Sequence, residues 1–113
     1  MDNDKKRREI QFTQYLDPPA NLSELRVRVR LSEDHKGVES FSVSQRSAVW
    51  GEIQEIIRFD CSAREGVNVH KFFKKPAEKL YLDKEKTYDT VFELMDDIEK
   101  NWQIYKSRYE EKR

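Results

Sequence analysis

The sequence predicts an α+β domain: an antiparallel β-meander of four to five strands with one long C-terminal helix packed on one face. Two patterns predict this class. Up to residue 73, short segments alternate apolar and polar residues with the period of two typical of strands, and from residue 87 onward apolar residues recur every three or four positions, as on one face of a helix. Glycines and prolines separate these segments and mark the turns between them: Pro18, Pro19, Gly37, Gly51, Gly66 and Pro76.

Five segments carry the strand pattern, and a sixth is a short extended piece: residues 8–16, 25–31, 39–45, 52–60 and 67–73, with 80–82 as the short piece. The clearest is 25–31, in which four aliphatic residues alternate with Arg26, Arg28 and Arg30. Successive side chains of a strand point to opposite faces, so the three arginines share one face of the sheet.

The C-terminal segment predicts a helix over residues 87–110. Its apolar residues form one stripe: Val91, Leu94, Met95, Ile98, Trp102, Tyr105 and Tyr109. Acidic residues dominate the first half of the segment and basic residues the second, which complements the helix macrodipole. An isolated amphipathic helix is marginally stable, so the stripe needs the apolar sheet face as its partner. A functional site is therefore expected on the sheet face turned away from the helix, called the open face below.

Antiparallel pairing indicates which side chains the open face collects. Apolar faces coincide only when the numbers of paired residues sum to an even value, and the length of the connecting loop favours pairing Phe59 with Val69 and, similarly, Val27 with Val43. In that register the open face collects mostly polar side chains and two apolar ones: Arg26, Arg28, Arg30, Ser40, Ser42, Ser44, Arg58, Asp60, Asn68, His70, Ile56 and Phe72. The same alternation assigns Ile53 to the helix-covered face.

Four interpretations of the open face stay open, and three are non-catalytic. A solvated polar face is normal for an antiparallel sheet and requires no function. Alternatively, Arg26, Arg28 and Arg30 stand about 7 Å apart, close to the phosphate spacing of a single strand, and Phe72 could stack on a base, which predicts RNA binding. Ile56 and Phe72 side by side instead predict contact with a protein partner or with a second copy in a homodimer.

The fourth interpretation is catalytic. His70 can act as general acid or base near neutral pH, Arg58 can stabilise phosphoryl charge, and Asp60 can orient the imidazole. Together they suit metal-independent RNA cleavage with the 2′-hydroxyl as nucleophile. No metal site is expected, because His35 and His70 lie on different elements and HxH, HExxH and CxxC motifs are absent. No cofactor is expected either, since the chain has no glycine-rich cradle for phosphates.

Composition narrows the class of protein. The 113 residues predict one domain, 1–113, in which 1–8 form a flexible charged N-terminus. Lys and Arg number 22, as do Asp and Glu, so the formal net charge is zero, unlike that of strongly basic nucleic-acid coating proteins. No apolar run approaches the about 18 residues that span a bilayer, so no membrane association is expected. A single cysteine, Cys61, and the charged start of the chain predict a cytoplasmic location.

The Arg-aromatic-Asp strand Arg58–Asp60, followed by a strand that carries His70, resembles small prokaryotic domains of the TumE toxin type. The resemblance spans about Val38 to Trp102 in outline and implies ribonuclease-type activity at these three polar residues, with an antitoxin-like protein partner. The family pattern carries paired histidines as HxH, whereas Phe72 stands at the second position here. A two-histidine acid/base mechanism therefore lacks its partner.

The combined prediction favours a non-catalytic binding domain over an enzyme. It would use the open face for RNA or a protein partner, with Arg26, Arg28, Arg30 and Phe72 as contacts. The alternative is a TumE-like toxin component with metal-independent ribonuclease-type activity at the polar residues of the resemblance.

Overall fold

The computed structural model describes residues 8–112, which form one antiparallel sheet and one helix. The elements, in chain order, are β1 (Glu9–Tyr15), β2 (Ser23–Leu31), β3 (Val38–Val49), β4 (Glu52–Cys61), β5 (Asn68–Lys71), β6 (Glu78–Tyr81) and α1 (Tyr88–Glu111). Each strand pairs with the next, so the sheet order equals the chain order. The α+β class and the meander are confirmed, but the sheet has six strands rather than four to five. The additional strand is β6, whose four residues are too few to show a reliable period of two.

The predicted flexible N-terminus, residues 1–8, lies outside the described residues except for Arg8. The Arg8 side chain is half-buried and bonded: its guanidinium donates to the Leu31 carbonyl at 3.2 Å and to Glu39 Oε2 at 2.9 Å. These bonds fasten the start of β1 to the end of β2 and the start of β3.

The predicted strand registers are confirmed at the centre of the sheet. Val27 opposes Val43 across β2 and β3, and Phe59 opposes Val69 across β4 and β5. All four side chains are buried, with at most 6% of their surface exposed. Alternation of apolar and polar residues excluded a slip of one residue, which would expose the apolar set, and the loop lengths favoured this register among the remaining ones.

A β-bulge at Ile56 overturns the predicted faces of the first half of β4. Gln45 opposes Ile57 whereas Arg46 opposes Glu55, so Ile56 is an extra residue without a partner on β3. Its side chain is fully buried instead of lying on the open face. The extra residue reverses the alternation before it, so Ile53 lies on the open face and is 54% exposed.

The helix packs mainly on β3 and β4 through the predicted stripe. Every residue of that stripe is buried or half-buried. The helix begins with Thr87 as its N-cap, whose side-chain oxygen accepts a hydrogen bond from the Thr90 N–H. Beneath its second half, the buried Gln45 amide donates to the Trp102 carbonyl at 2.9 Å, which ties the helix to the middle of β3. Within the described residues no helix is long and apolar enough to cross a membrane.

Candidate functional site

The open face contains a concave cavity of about 790 Å³, called the basin below. Its side chains come from the first four strands because these strands place every second residue on this face. The lining is mostly polar and includes Gln11, Thr13, Arg26, Arg28, Ser42, Ser44, Glu55, Arg58 and Asp60. Its volume lies within the range of about 300–1,000 Å³ that ligand sites usually occupy.

Two of the three predicted arginines, Arg26 and Arg28, reach the basin without a hydrogen-bonded partner among residues 8–112. Their side chains are 49% and 62% exposed. The nearest carboxylate oxygens belong to Glu24 and Glu9, at 3.9 Å and 3.7 Å from the two guanidinium Nε atoms, which exceeds hydrogen-bond distance. Within the described part of the chain, each cation therefore has only a long, solvent-exposed ion pair, and an anionic ligand could contact it at a small desolvation cost.

Serine hydroxyls lie directly across the strand pair from these arginines. Arg26 opposes Ser44 and Arg28 opposes Ser42 in the register of β2 with β3. Across residues 8–112, neither hydroxyl makes a hydrogen bond to another residue, although Ser44 is only 5% exposed. A ligand oxygen in the basin would thus meet both charged N–H donors and neutral O–H donors.

The third predicted arginine, Arg30, is engaged elsewhere. Its Nε lies 3.3 Å from Glu39 Oε2, and that same carboxylate oxygen accepts from Arg8 at 2.9 Å. Glu39 lies at a register irregularity between β2 and β3, between Val38 opposite Leu31 and Ser40 opposite Arg30. Arg30 does not line the basin, so the predicted stripe of three arginines reduces to a pair.

The predicted residues Arg58 and Asp60 lie together at the β4 side of the basin. Arg58 Nε donates to Asp60 Oδ2 at 2.8 Å, and its Nη1 donates to Glu55 Oε1 at 2.6 Å. The guanidinium carbon also lies 5.4 Å from the centre of the Phe72 ring. Two carboxylates and one aromatic ring contact the Arg58 guanidinium, so its charge is already neutralised within the protein.

His70 lies opposite Arg58 in the β4–β5 ladder, as predicted. Its Nε2 is 3.6 Å from Asp60 Oδ2, which is too long for a hydrogen bond, and its ring stacks against Phe72 with centroids 5.7 Å apart. The half-buried Phe72 ring is consequently in contact with two neighbours rather than projecting as a separate stacking platform. The other histidine, His35, lies in the turn between β2 and β3.

Asn68 does not contribute to the exposed surface, although its register opposite Asp60 is as predicted. Its side chain is fully buried, and Nδ2 lies 3.1 Å from three oxygens: the Asp60 carbonyl, the Gly66 carbonyl and Glu65 Oε1. Glu65 also accepts bonds from Lys79 and Tyr81 on β6, and these bonds lower its pKa. This network holds β5 and β6 to the end of β4.

Neither thiol nor metal chemistry is indicated around the basin. Cys61 is buried at the end of β4, and burial raises the pKa of its thiol, which favours the unreactive protonated form. Throughout residues 8–112, no group of three or more histidine, cysteine, aspartate or glutamate side chains is arranged to hold a metal ion.

Sequence reasoning missed two features of the open face, and both follow from the bulge at Ile56. The reversed alternation brings Glu55 to the open face, where it binds Arg58. It also brings the apolar Ile53 to the open face opposite Ala48 of β3. The adjacent isoleucines Ile56 and Ile57 were the available signal, because two successive apolar residues interrupt a period of two.

A family model matches residues 2–113 and carries the description Domain of unknown function (DUF7718). The chain belongs to this family. No curated protein and no solved structure matches the chain. Membership of the DUF7718 family gives no support to the resemblance to TumE-type toxins, and it supplies no activity for the basin.

Proposed function

We propose that the protein is a non-catalytic binding module whose basin binds the sugar–phosphate backbone of single-stranded RNA. The observation that carries this proposal is the pair Arg26 and Arg28, whose exposed guanidinium groups make no hydrogen bond to any other described residue. Residues two apart on one strand are separated by about 7 Å, which allows them to contact successive phosphates.

The neighbouring groups support a phosphate ligand in two further ways. The hydroxyls of Ser42 and Ser44 add neutral donors that suit phosphate and ribose oxygens. Asp60 and Glu55 are bound to Arg58, so their negative charge is partly compensated and repels a phosphate less strongly. Because few cations take part, we expect modest affinity and a shallow salt dependence, in contrast to a highly basic protein.

The test is fluorescence anisotropy with a labelled single-stranded RNA of mixed sequence over a series of salt concentrations. Two phosphate contacts predict a log–log slope of roughly −1.4. Arg28→Glu should reduce the affinity at least about tenfold at low salt and flatten the slope, because it removes one contact and adds a repulsive charge. Arg108→Glu is the matched control: it makes the same charge change at an exposed residue of α1 that does not line the basin, and it should bind like the wild type.

Three outcomes would contradict RNA binding by the basin: no measurable binding, binding that does not depend on salt, and equal losses in Arg28→Glu and Arg108→Glu. Equal losses would mean that RNA responds to the overall charge of the protein rather than to the basin. Circular dichroism spectra and melting curves of both variants serve to exclude unfolding as the cause of a loss.

A second candidate is the ribonuclease-type activity that the TumE resemblance implies. The observation in its favour is the Asp60 carboxylate, which accepts a hydrogen bond from Arg58 and lies 3.6 Å from the His70 ring nitrogen. A small rearrangement would let the carboxylate orient the imidazole. The observation against it is that Arg58 is occupied by two carboxylates, which leaves little positive charge to stabilise a phosphoryl transition state.

His70→Ala separates these candidates. Under the ribonuclease hypothesis the wild type cleaves RNA without added metal and arrests bacterial growth when expressed, and His70→Ala does neither while remaining folded. Under the binding hypothesis the wild type leaves the RNA intact, cells grow normally at high soluble yield, and His70→Ala binds RNA within a factor of about two of the wild type. Cleavage that persists in His70→Ala would eliminate the assignment of His70 as a catalytic residue.

A further inference from the structure

The two edges of the described sheet differ in how strongly they resist pairing with another strand. At one edge, β6 has four residues, two of them the charged Glu78 and Lys79, and Pro76 lies just before it. At the other edge, β1 has seven residues, all exposed, without lysine, arginine or proline. Its register with β2 runs without a bulge along its whole length. A regular edge without such protection is a template for a further strand.

Backbone hydrogen bonds reveal which groups of β1 face the edge. The Leu16 N–H donates to the Ser23 carbonyl at 2.9 Å, and the Arg8 carbonyl accepts from the Leu31 N–H at 2.6 Å. The N–H and C=O of one strand residue point to the same side, and this side alternates along the strand, so even-numbered residues face β2. The odd-numbered residues direct these groups away from β2: Glu9, Gln11, Thr13 and Tyr15.

We propose that the β1 edge binds the β1 edge of a second copy of this chain, forming a twofold-symmetric dimer with one continuous sheet. Antiparallel pairing centred on Phe12 uses the full length of both strands. It aligns Glu9 with Tyr15 and Gln11 with Thr13 of the second copy as hydrogen-bonded pairs, so that the free N–H and C=O groups satisfy each other. No charge opposes a like charge in this register, because Glu9 is the one charged residue of β1.

The apolar side chains of β1 are self-complementary in the same register. Ile10 and Phe12 lie on the helix side of the sheet opposite Val29 and Val27, but they are 43% and 42% exposed because α1 packs mainly on β3 and β4. In the dimer, Phe12 opposes its own copy across the symmetry axis, and Ile10 lies diagonally beside that ring. Cross-strand aromatic pairs and aromatic–β-branched pairs are among the favourable sheet contacts.

The dimer would also join the two basins. Gln11 and Thr13 lie on the open face and line the basin, so the second copy would place its own Thr13 and Gln11 beside them. The two β2 strands would stand three strand spacings apart, about 14 Å, with the Arg26 and Arg28 pairs on one continuous face. A role of this continuous face in RNA binding rests on the function proposed above, whereas the dimer itself does not.

The first test is light scattering coupled to size-exclusion chromatography over a concentration range of about two orders of magnitude. The wild type should approach twice 13.7 kDa as the concentration rises. Phe12→Lys should stay at the monomer mass, because it places two ammonium groups against each other on the axis. Leu80→Lys is the matched control: Leu80 has the same 42% exposure but lies on β6, and this variant should dimerise like the wild type.

Two further variants keep the proposal testable if Phe12→Lys does not fold. Thr13→Pro removes one edge-directed N–H and spares the bonds between β1 and β2, so it should fold and remain a monomer. Phe12→Cys should form a disulfide-linked dimer under mild oxidation, since opposed residues of a non-hydrogen-bonded pair have Cα atoms about 4.5 Å apart, whereas Leu80→Cys should not.

A wild type that stays monomeric at every concentration would overturn the proposal. So would a Thr13→Pro variant that dimerises like the wild type, or cross-linking of Leu80→Cys in preference to Phe12→Cys. Because the mass is measured without RNA, these results do not depend on whether the basin binds RNA.

Discussion

The bulge in β4 predicts that two isoleucines three residues apart contribute very differently to the free energy of unfolding. Ile56 is fully buried, and Ile53 is 54% exposed. Truncating Ile56 to alanine removes three carbon atoms from the core, which costs about 2.4 kcal/mol at about 0.8 kcal/mol per buried methylene. The remaining cavity adds to this cost, so the free energy of unfolding should fall by about 3–4 kcal/mol. Ile53→Ala removes the same atoms from a half-exposed site and should cost at most about 1 kcal/mol.

Urea denaturation followed by circular dichroism measures both changes. With a dependence of about 2 kcal/mol per molar urea, Ile56→Ala should lower the unfolding midpoint by roughly 1.5–2 M, and Ile53→Ala by at most about 0.5 M. Both sites lie on one strand and lose the same β-branched side chain, so strand propensity cancels in the comparison. A regular β4 without the bulge would reverse the order of the two losses, and that result would refute the assigned faces.

The remaining predictions concern polar groups. Asn68→Ala should lower the free energy of unfolding, measured by urea denaturation, by about 2 kcal/mol. The isosteric Asn68→Asp should lower it by more than about 3 kcal/mol, because a buried carboxylate would then face three oxygen acceptors. Equal stability of the two variants would contradict the hydrogen-bond network. Burial and the hydrogen bond to Asp97 raise the pKa of Tyr105 above its ordinary value of 10.0. The protonated Tyr105 therefore contributes fully to the free energy of unfolding below about pH 10. Its contribution declines at higher pH, where the phenol of the unfolded chain loses its proton before that of the folded protein. Between about pH 8 and 11, the free energy of unfolding should consequently depend less on pH for Tyr105→Phe than for the wild type. Tyr15→Phe, at a half-exposed tyrosine, serves as the control.

The sequence alone was sufficient to assign side chains to the faces of a strand where the alternation of apolar and polar residues agrees with their burial. From Leu25 to Leu31 in β2, aliphatic residues and arginines alternate without exception, so covalent geometry assigns the faces. The opposition of Arg58 and His70 was also predicted, since apolar alternation requires an even sum of the paired residue numbers and the length of the intervening loop favours this register. The helical stripe was likewise predicted correctly, because three- and four-residue spacing has a single geometric interpretation.

The tertiary structure decided the features in which a residue's role depends on distant parts of the chain. Whether Arg26, Arg28 and Arg30 are available to a ligand depends on which carboxylates reach them: Glu39 reaches Arg30, while Glu24 and Glu9 stay beyond hydrogen-bond distance of the other two. Local sequence does not contain this information, because these distances follow from the register of three strands together.

The bulge at Ile56 is the second such feature. The run of two isoleucines in β4 is compatible with either face, and packing beneath the helix selects the arrangement that buries both Ile56 and Ile57. That selection then moves Glu55 and Ile53 to the open face. The sequence alone predicted the helix, five of the six strands, the central registers and the polar character of the open face. Packing determined that Glu55 reaches Arg58 on that face, because burial of an apolar pair outweighs the regularity of one strand.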